Sequence, residues 1–174
     1  SVLDVVAENK ELSSFYEYLK KSDLDDVLKK KLPWNWTIFA PSNKAFENII
    51  PKLKSKVLED DNLRKKLFMD HIMTGHKTSL DFSEDISTEI TVSNKSIQIY
   101  KMKKLHVKDM VVINENLIGE NGVVHIIDCI MFVQPSEQDS RLSLQIQKDF
   151  PITSCCMESD EEVSLWISTA EDKF

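Results

Sequence analysis

The sequence predicts an α+β domain followed by an acidic C-terminal extension. Apolar residues recur at helical spacing mainly before Gly75, whereas after it they alternate or form short apolar runs, which indicate strands. Helices followed by strands are typical of the α+β class. A length of 174 residues suits one compact domain built around a single core.

The first predicted elements are a helical hairpin and a short strand. Apolar side chains at helical spacing predict two short helices within residues 12–31. Residues 36–39 form an apolar run of β-favouring residues, and Pro41 ends it. Ser42 or Asn43 can then cap a short helix, so that strand passes to helix within about two residues.

Two more helices and then a series of strands are predicted to follow. Residues 51–57 and 61–73 have helical patterns, and the second includes His71 and Ile72 on its apolar face. Alternating apolar residues on both sides of a turn at 93–96 predict a β-hairpin. The predicted strands are residues 88–92, 97–99, 105–107, 110–113 and 123–133. The last of these is almost continuously apolar, as expected for a strand buried on both faces.

The extension, residues 136–174, differs from the body, residues 1–135, in charge. It holds 9 acidic and 3 basic residues and so supplies -6 of the net charge of -7. Alternating apolar residues at 142–146 and 163–167 predict a hairpin packed on the body. The acidic balance argues against a nucleic-acid partner. No run reaches the length of a membrane span, so membrane attachment would require a tether outside this chain.

Three motifs carry the most information about the domain type. Residues 37–46 read Thr-Ile-Phe-Ala-Pro-Ser-Asn-Lys-Ala-Phe, residues 68–75 read Phe-Met-Asp-His-Ile-Met-Thr-Gly, and residues 121–128 read Asn-Gly-Val-Val-His-Ile-Ile-Asp. In this order they resemble the opening, central and closing motifs of fasciclin-like (FAS1) domains. The resemblance covers residues 1 to about 135. It implies the family's wedge-like β-sandwich with a cluster of N-terminal helices.

The resemblance also implies a function. It indicates a secreted or cell-surface adhesion module that binds a protein or glycan of the cell surface or matrix, without catalysis, cofactor or metal. The motif residues would then hold the fold, and the rings of Phe39 and Phe46 are expected to enter one core. The residues assigned this structural role are Phe39, Pro41, Ser42, Phe46, His71, Asn121, Gly122, His125 and Asp128.

The polar motif residues have specific expected roles. Asn121 and Gly122 are expected to supply the positive φ angles of a tight turn before a strand. His71 and His125 are expected to be buried histidines whose ring nitrogens are hydrogen-bonded. Asp128 is expected either to be a histidine partner or to close a turn.

Two departures from the family pattern bear on partner binding. Asp70 stands where the family usually has an aromatic residue, which could place a charge beside His71. Asn116 and Leu117 occupy the positions of an Asp-Ile pair that is implicated in integrin contact in some adhesive members. Because the carboxylate is missing, the segment Asn116, Leu117 and Ile118 is a candidate site for a different partner.

A basic cluster forms a second candidate site. Lys101, Lys103 and Lys104 lie close in sequence to His106 and Lys108. This pattern predicts either a site for a polyanion or a solvated charged face, and the near-neutral body favours the solvated face.

Cysteines and glycosylation sequons bear on the compartment. Cys129, Cys155 and Cys156 allow one disulfide from Cys129 to the extension, or three reduced cysteines. Sequons occur at Asn94 and Asn35, and Asn94 is the better acceptor because it lies in a predicted turn.

Two alternative functions remain open at this level. The extension could cover a sheet edge or mediate self-association, giving a weak homo-oligomer. A thiol- or metal-dependent enzyme is the other alternative. The sequence has only three glycines and no Gly-x-Ser-x-Gly motif. Cys129 and His125 are four residues apart, about 13 Å in an extended strand, which is too far for proton transfer.

Overall fold

A computed structural model describes residues 1–30, 32–133 and 156–170. The helices are α1 (Val2–Glu8), α2 (Ser13–Lys21), α3 (Asp25–Leu28), α4 (Asn43–Glu47), α5 (Pro51–Leu53), α6 (Asp61–Met69) and α7 (Asp160–Ala170). The strands are β1 (Trp36–Pro41), β2 (Ile72–Thr74), β3 (Ser87–Ile90), β4 (Ser96–Lys101), β5 (Leu105–Val107), β6 (Met110–Val111), β7 (Asn114–Gly119) and β8 (Gly122–Ile127). A π-helical turn, Lys54–Leu58, continues α5, and 3-10 turns occur at Lys10–Leu12 and Ser79–Asp81.

The strands form two four-stranded sheets, and helices precede most of them, which confirms the predicted α+β class. The first sheet has the order β2-β1-β8-β7, and the second has the order β3-β4-β5-β6. At the centre of the first sheet, β1 and β8 pair in parallel, with Ile38 opposite Val124. Every residue of both strands is buried, as expected for strands covered on both faces.

The alternation of side chains along β1 and β8 divides the interior into two cores. Ile38 and Val124 point into the first core, which lies under the helices. Phe39 and Ile127 point into the second core, which lies against the second sheet. The predicted single core is therefore two cores on opposite faces of one central sheet.

Several predicted element bounds were wrong. The helix predicted at 61–73 ends at Met69, and residues 72–74 form β2, which pairs with β1. The strand predicted at 110–113 ends at Val111, and the one predicted at 123–133 ends at Ile127. β7 was missed because its half-exposed edge position allows a polar sequence that resembles a loop.

The C-terminal extension contains a helix where strand was predicted. Val163, Trp166 and Ala170 are buried, and their spacing places them on one helical face. The Ser159 hydroxyl accepts the Glu162 N–H at 3.2 Å, and a Glu162 carboxylate oxygen accepts the Ser159 N–H at 3.0 Å, which caps the helix start. The alternation predicted at 142–146 lies outside the described residues, as does the domain boundary at residue 135.

A disulfide joins the extension to the body. Cys129 and Cys156 are bonded, with their Cα atoms 5.6 Å apart. The Met157 N–H also donates to the Ile130 carbonyl at 2.8 Å. Of the two alternatives for the cysteines, the structure shows the disulfide from Cys129 to the extension rather than three reduced cysteines. Cys155 lies outside the described residues.

Replacing Cys129 and Cys156 by serine should lower the free energy of unfolding. The bond spans 27 residues. In the chain-entropy account, a cross-link that closes a loop of this size lowers the entropy of the unfolded chain and so stabilises the folded state by about 3–4 kcal/mol. Urea denaturation of the double variant and of the oxidised wild type measures the difference. A loss below about 1 kcal/mol would show that the reduced unfolded chain is already restricted by residual structure.

Candidate functional site

Ser42 and Asp128 close the ends of the two central strands. The Ser42 hydroxyl donates to a carboxylate oxygen of Asp128 at 2.7 Å and accepts the Ala45 N–H at 3.3 Å. Ser42 is therefore the N-cap of α4. Asp128 bonds to this hydroxyl, so it closes the junction after β8, and its expected alternative role as a histidine partner is not observed.

The Asn121 side chain ties the first sheet to the helical layer. Its carbonyl oxygen accepts the Val2 N–H at 2.7 Å, and its amide donates to the Leu28 and Lys30 carbonyls at 2.7 and 3.1 Å. The positive φ expected at Asn121 is not observed, since within the pair only Gly122 has one. Two of these three bonds are buried, so the Asn121 side chain satisfies backbone groups that water does not reach.

His71 is fully buried and bonded at both ring nitrogens. Its Nδ1–H donates to the Leu67 carbonyl at 2.9 Å, and its Nε2 accepts the Met131 N–H at 2.9 Å. Because Nε2 accepts the Met131 N–H, it carries no proton, and the ring is therefore neutral. Burial lowers the pKa of His71 to about 4, against the opposing effects of the Leu67 carbonyl and the Asp70 charge.

Stability should therefore fall on mild acidification. In the unfolded chain His71 is protonated below its ordinary pKa of 6.5, whereas in the folded chain it is protonated only below about pH 4. The stability contributed by neutral His71 is complete above pH 6.5, and about 2 kcal/mol of it should be lost by pH 5. Urea denaturation at pH 7.5 and 5 measures this loss. His71→Asn should reduce the pH dependence, whereas replacement of the half-exposed His106 by Asn should preserve it. An unchanged slope in His71→Asn would contradict the assignment.

His125 is held in the opposite tautomer. Its Nδ1 accepts the Asn116 N–H at 3.1 Å, and its Nε2–H donates to the Lys77 carbonyl at 2.8 Å. Burial lowers the pKa of His125, opposed by the Lys77 carbonyl and the Glu115 charge. Phe39 stacks on the ring with centroids 5.5 Å apart. Both histidines are thus occupied by bonds that hold the fold.

The two motif phenylalanines enter different cores. Phe39 faces the second core because its position in β1 places it on the opposite face from Ile38. Phe46 lies on α4 and packs against the first core beside Tyr18 and Phe68. The expectation of one shared core for both rings was wrong, because Pro41 ends β1 between them and α4 turns toward the helices.

The segment Asn116 to Ile118 lies in β7, an edge strand, and includes a bulge. Asn116 has φ 62°, its side-chain oxygen accepts the Ser79 N–H at 2.8 Å, and its amide donates to the Ser79 hydroxyl at 2.7 Å. Leu117 packs against the first core. Ile118 is 57% exposed. Of the three candidate contact residues, only Ile118 therefore presents most of its side chain to solvent.

The basic cluster is partly neutralised. The Lys101 ammonium lies 2.9 and 3.2 Å from the two carboxylate oxygens of Glu115. Burial opposes ionisation of Glu115, but the bonds from Lys101 and the Leu105 N–H outweigh it and lower its pKa. Lys103 and Lys104 are exposed. The cluster therefore presents two lysines rather than three for partner binding.

The two sequons differ in accessibility. Asn94 is exposed in the turn between β3 and β4, with φ 63°. Asn35 is half-buried, and its sequon partner Thr37 is fully buried. The Thr37 hydroxyl donates to the Gly75 carbonyl at 2.6 Å and accepts the Lys77 N–H at 2.9 Å. Asn94 is thus the accessible acceptor in the folded chain.

Asp70 is the centre of a buried polar cluster that was only partly anticipated. Its carboxylate lies 3.1 Å from the Lys95 ammonium and accepts the Trp166 indole N–H at 2.8 Å. The Ser93 hydroxyl also donates to it. The departure from an aromatic residue at this position predicted a charge beside His71, but nothing local predicted partners 25 and 96 residues away.

The cysteine, histidine and acidic side chains bear on catalysis and metal binding. The sulfur of Cys129 is bonded to Cys156, so it is not a free thiol next to His125. Within residues 1–30, 32–133 and 156–170, no group of three or more His, Cys, Asp or Glu side chains could hold a metal ion. Among the same residues, no helix has the length and apolar character needed to cross a bilayer.

Two four-stranded sheets under a helical layer, with the motif side chains engaged in fold contacts, define an α+β domain of the fasciclin type. The model of the fasciclin domain family matches residues 10–133, and the chain belongs to this family. Fasciclin domains form a family of adhesion modules that are generally non-catalytic.

Relatives with this domain occur in animals and in cyanobacteria. Human periostin is 25% identical over 138 residues, which are 76% of this chain and 16% of periostin. Two proteins of Synechocystis sp. also match. The uncharacterized protein sll1735 is 23% identical over 133 residues, 76% of this chain and 98% of its own length. Protein sll1483 is 27% identical over 135 residues, 75% of this chain and 72% of its own length.

A solved structure shares the fold. A FAS1 domain pair from the insect cell adhesion molecule Fasciclin I superposes with a TM-score of 0.57 at 24% identity. The match covers 81% of this chain and 54% of that one. The chain therefore spans one sixth of periostin and about half of the Fasciclin I pair.

Proposed function

We propose that this chain is a non-catalytic interaction module of the cell surface or extracellular space, and that it binds a protein partner through β7. The observation that carries the proposal is the exposure of Ile118 on an edge strand in which Asn116 is bonded to Ser79 and Leu117 packs inward. The pair Asn116-Leu117 stands where some adhesive family members carry their integrin-contacting pair.

The surroundings of Ile118 favour a partner with an apolar contact. Leu80 is 92% exposed and follows Ser79, which is bonded to the Asn116 side chain. The bulge between Asn114 and Leu117 lets the Asn116 side chain bond to Ser79, which is the chain neighbour of Leu80. Contiguous exposed apolar surface rimmed by polar groups is typical of protein–protein interaction sites.

An extracellular location is part of this proposal. The Cys129–Cys156 disulfide persists in an oxidising compartment and is rare in the cytosol. The Fasciclin I relative is a cell adhesion molecule, and the accessible sequon at Asn94 is compatible with a secretory route.

A cell-surface binding assay with the intact chain tests the proposal. Ile118→Lys should reduce the bound fraction about tenfold, because a central apolar contact is replaced by a charge that must be desolvated. Ile86→Lys is the matched control, since Ile86 is 67% exposed elsewhere on the surface. This control variant should bind as the wild type does.

The same assay separates a glycan partner from a protein partner. Lys103→Ala with Lys104→Ala removes the two exposed lysines of the basic cluster and leaves β7 unchanged. Binding that is salt-dependent and lost in this variant, but retained in Ile118→Lys, would overturn the proposal in favour of a polyanionic glycan. Equal loss in Ile118→Lys and Ile86→Lys would also contradict it.

A further inference from the structure

The C-terminal helix α7 packs into a groove of the body whose floor is charged. Trp166 is 1% exposed, and its indole N–H donates to Asp70 at 2.8 Å. The Lys95 ammonium pairs with the same carboxylate and lies 5.3 Å from the centroid of the indole ring. The groove therefore recognises tryptophan by a directed hydrogen bond as well as by burial.

Two lysines of the body lie against α7, whose first turn is acidic. Lys52 lines one cleft together with Asp160 and Glu161 at the start of α7. The Lys52 ammonium donates to the Ser164 hydroxyl at 2.6 Å, and the Lys66 ammonium donates to the Ala170 carbonyl at 2.6 Å. Charge complementarity of this kind sets the orientation of a bound helix.

The body that carries the groove corresponds to the family domain without the helix. The family match ends at residue 133, before α7 begins. The relative sll1735 is matched over 98% of its length by only 133 residues of this chain, so a whole relative is about the size of the body. The helix is thus an addition to a domain type that exists without it.

We propose that this groove is an acceptor surface for an acidic helix that bears a tryptophan, and that the chain's own α7 occupies it and masks it. The disulfide at Cys156, four residues before α7, keeps the helix at high local concentration, so a free helix cannot compete in the oxidised chain. The surface becomes available to a second helix of the same chemistry only when α7 is displaced.

A labelled peptide tests the acceptor surface. The peptide carries residues 158–170, and the full-length double variant Val163→Asp, Trp166→Ala cannot dock its own helix because both positions are buried. Fluorescence anisotropy should show saturable binding to this variant and none to the oxidised wild type. A peptide with Trp166→Ala should bind about tenfold more weakly or worse. A peptide with the exposed Ser168→Ala should bind normally.

Hydrogen exchange on the intact wild type gives an independent test that requires no variant. If α7 is a bound helix, its amides should exchange through local opening while those of β1 and β8 stay protected. Exchange of α7 only together with β1 and β8 would show that the helix is inseparable from the core and would overturn the proposal. Equal affinities of the Trp166→Ala peptide and the native peptide for the double variant would also overturn the proposal. Neither outcome bears on binding through Ile118.

Discussion

Asp70→Ala should lower the free energy of unfolding by about 3–5 kcal/mol, the cost of leaving a buried charge without its partner. Lys95 is 6% exposed, and its ammonium pairs with the Asp70 carboxylate. The substitution also removes the acceptor of the Trp166 indole N–H. Urea denaturation of the intact oxidised chain measures the loss.

A double substitution distinguishes a buried pair from simple loss of packing. Asp70→Leu combined with Lys95→Met removes both charges and keeps apolar volume, so it should cost about 2 kcal/mol less than Asp70→Ala. Its remaining cost should come mainly from the unpaired indole of Trp166. If Asp70→Ala costs less than about 1 kcal/mol, the pair is solvated in solution and the structural account of it is wrong.

Gly122→Ala should destabilise the domain by about 4 kcal/mol or more, because the clash is with backbone in the middle of the first sheet. A Cβ at this position would lie 2.0 Å from the Trp36 carbonyl oxygen, and Gly122 also has φ +156°. Gly122 and Trp36 are register partners in the parallel pair β1–β8. Relief of the clash requires these two strands to separate at their start.

Gly119→Ala is the matched control, since Gly119 pairs with Gly122 across the turn between β7 and β8. Its Cβ would meet the backbone of Ser1 and Val2 at 3.0 Å. Because this contact is 1.0 Å longer than the one at Gly122 and is made with the start of α1 rather than with a central strand, the loss should be much smaller. Thermal unfolding of both variants gives the comparison, and similar midpoints would contradict the assigned role of Gly122.

The sequence predicted those parts of the fold whose causes are local. The N-cap at Ser42 and the end of β1 at Pro41 follow from the chemistry of neighbouring residues, and both are observed. The three motifs identified the family because their order and spacing are properties of the chain itself. The buried character of β8 followed from its continuous apolar run.

Elements were missed where packing overrode the local pattern. Val163, Leu165 and Ile167 alternate as in a strand, yet burial of Val163, Trp166 and Ala170 against the body favours a helix. β7 carries a polar sequence because only β8 pairs with it and its other side is an edge.

Which side chains of the candidate site are exposed depended on tertiary structure more than the secondary-structure elements did. The sequence placed Asn116, Leu117 and Ile118 together but could not show that Asn116 is bonded to Ser79 and Leu117 is packed inward. It likewise placed Lys101 in a basic cluster without its partner Glu115. The exposed face of a segment is set by what packs on its other side, which the local sequence does not contain.

By itself, the sequence determined the α+β class, the family, the N-cap at Ser42 and the burial of His71 and His125. These features depend on contacts within a few residues or on a period along one chain segment. Only the tertiary structure decided that Asp70 joins Lys95 and Trp166 and that the extension closes onto the body as a helix. The physical reason is that the buried Asp70 carboxylate must be paired with groups that are close in the folded structure. Here those groups, Lys95 and Trp166, lie 25 and 96 residues away in the sequence.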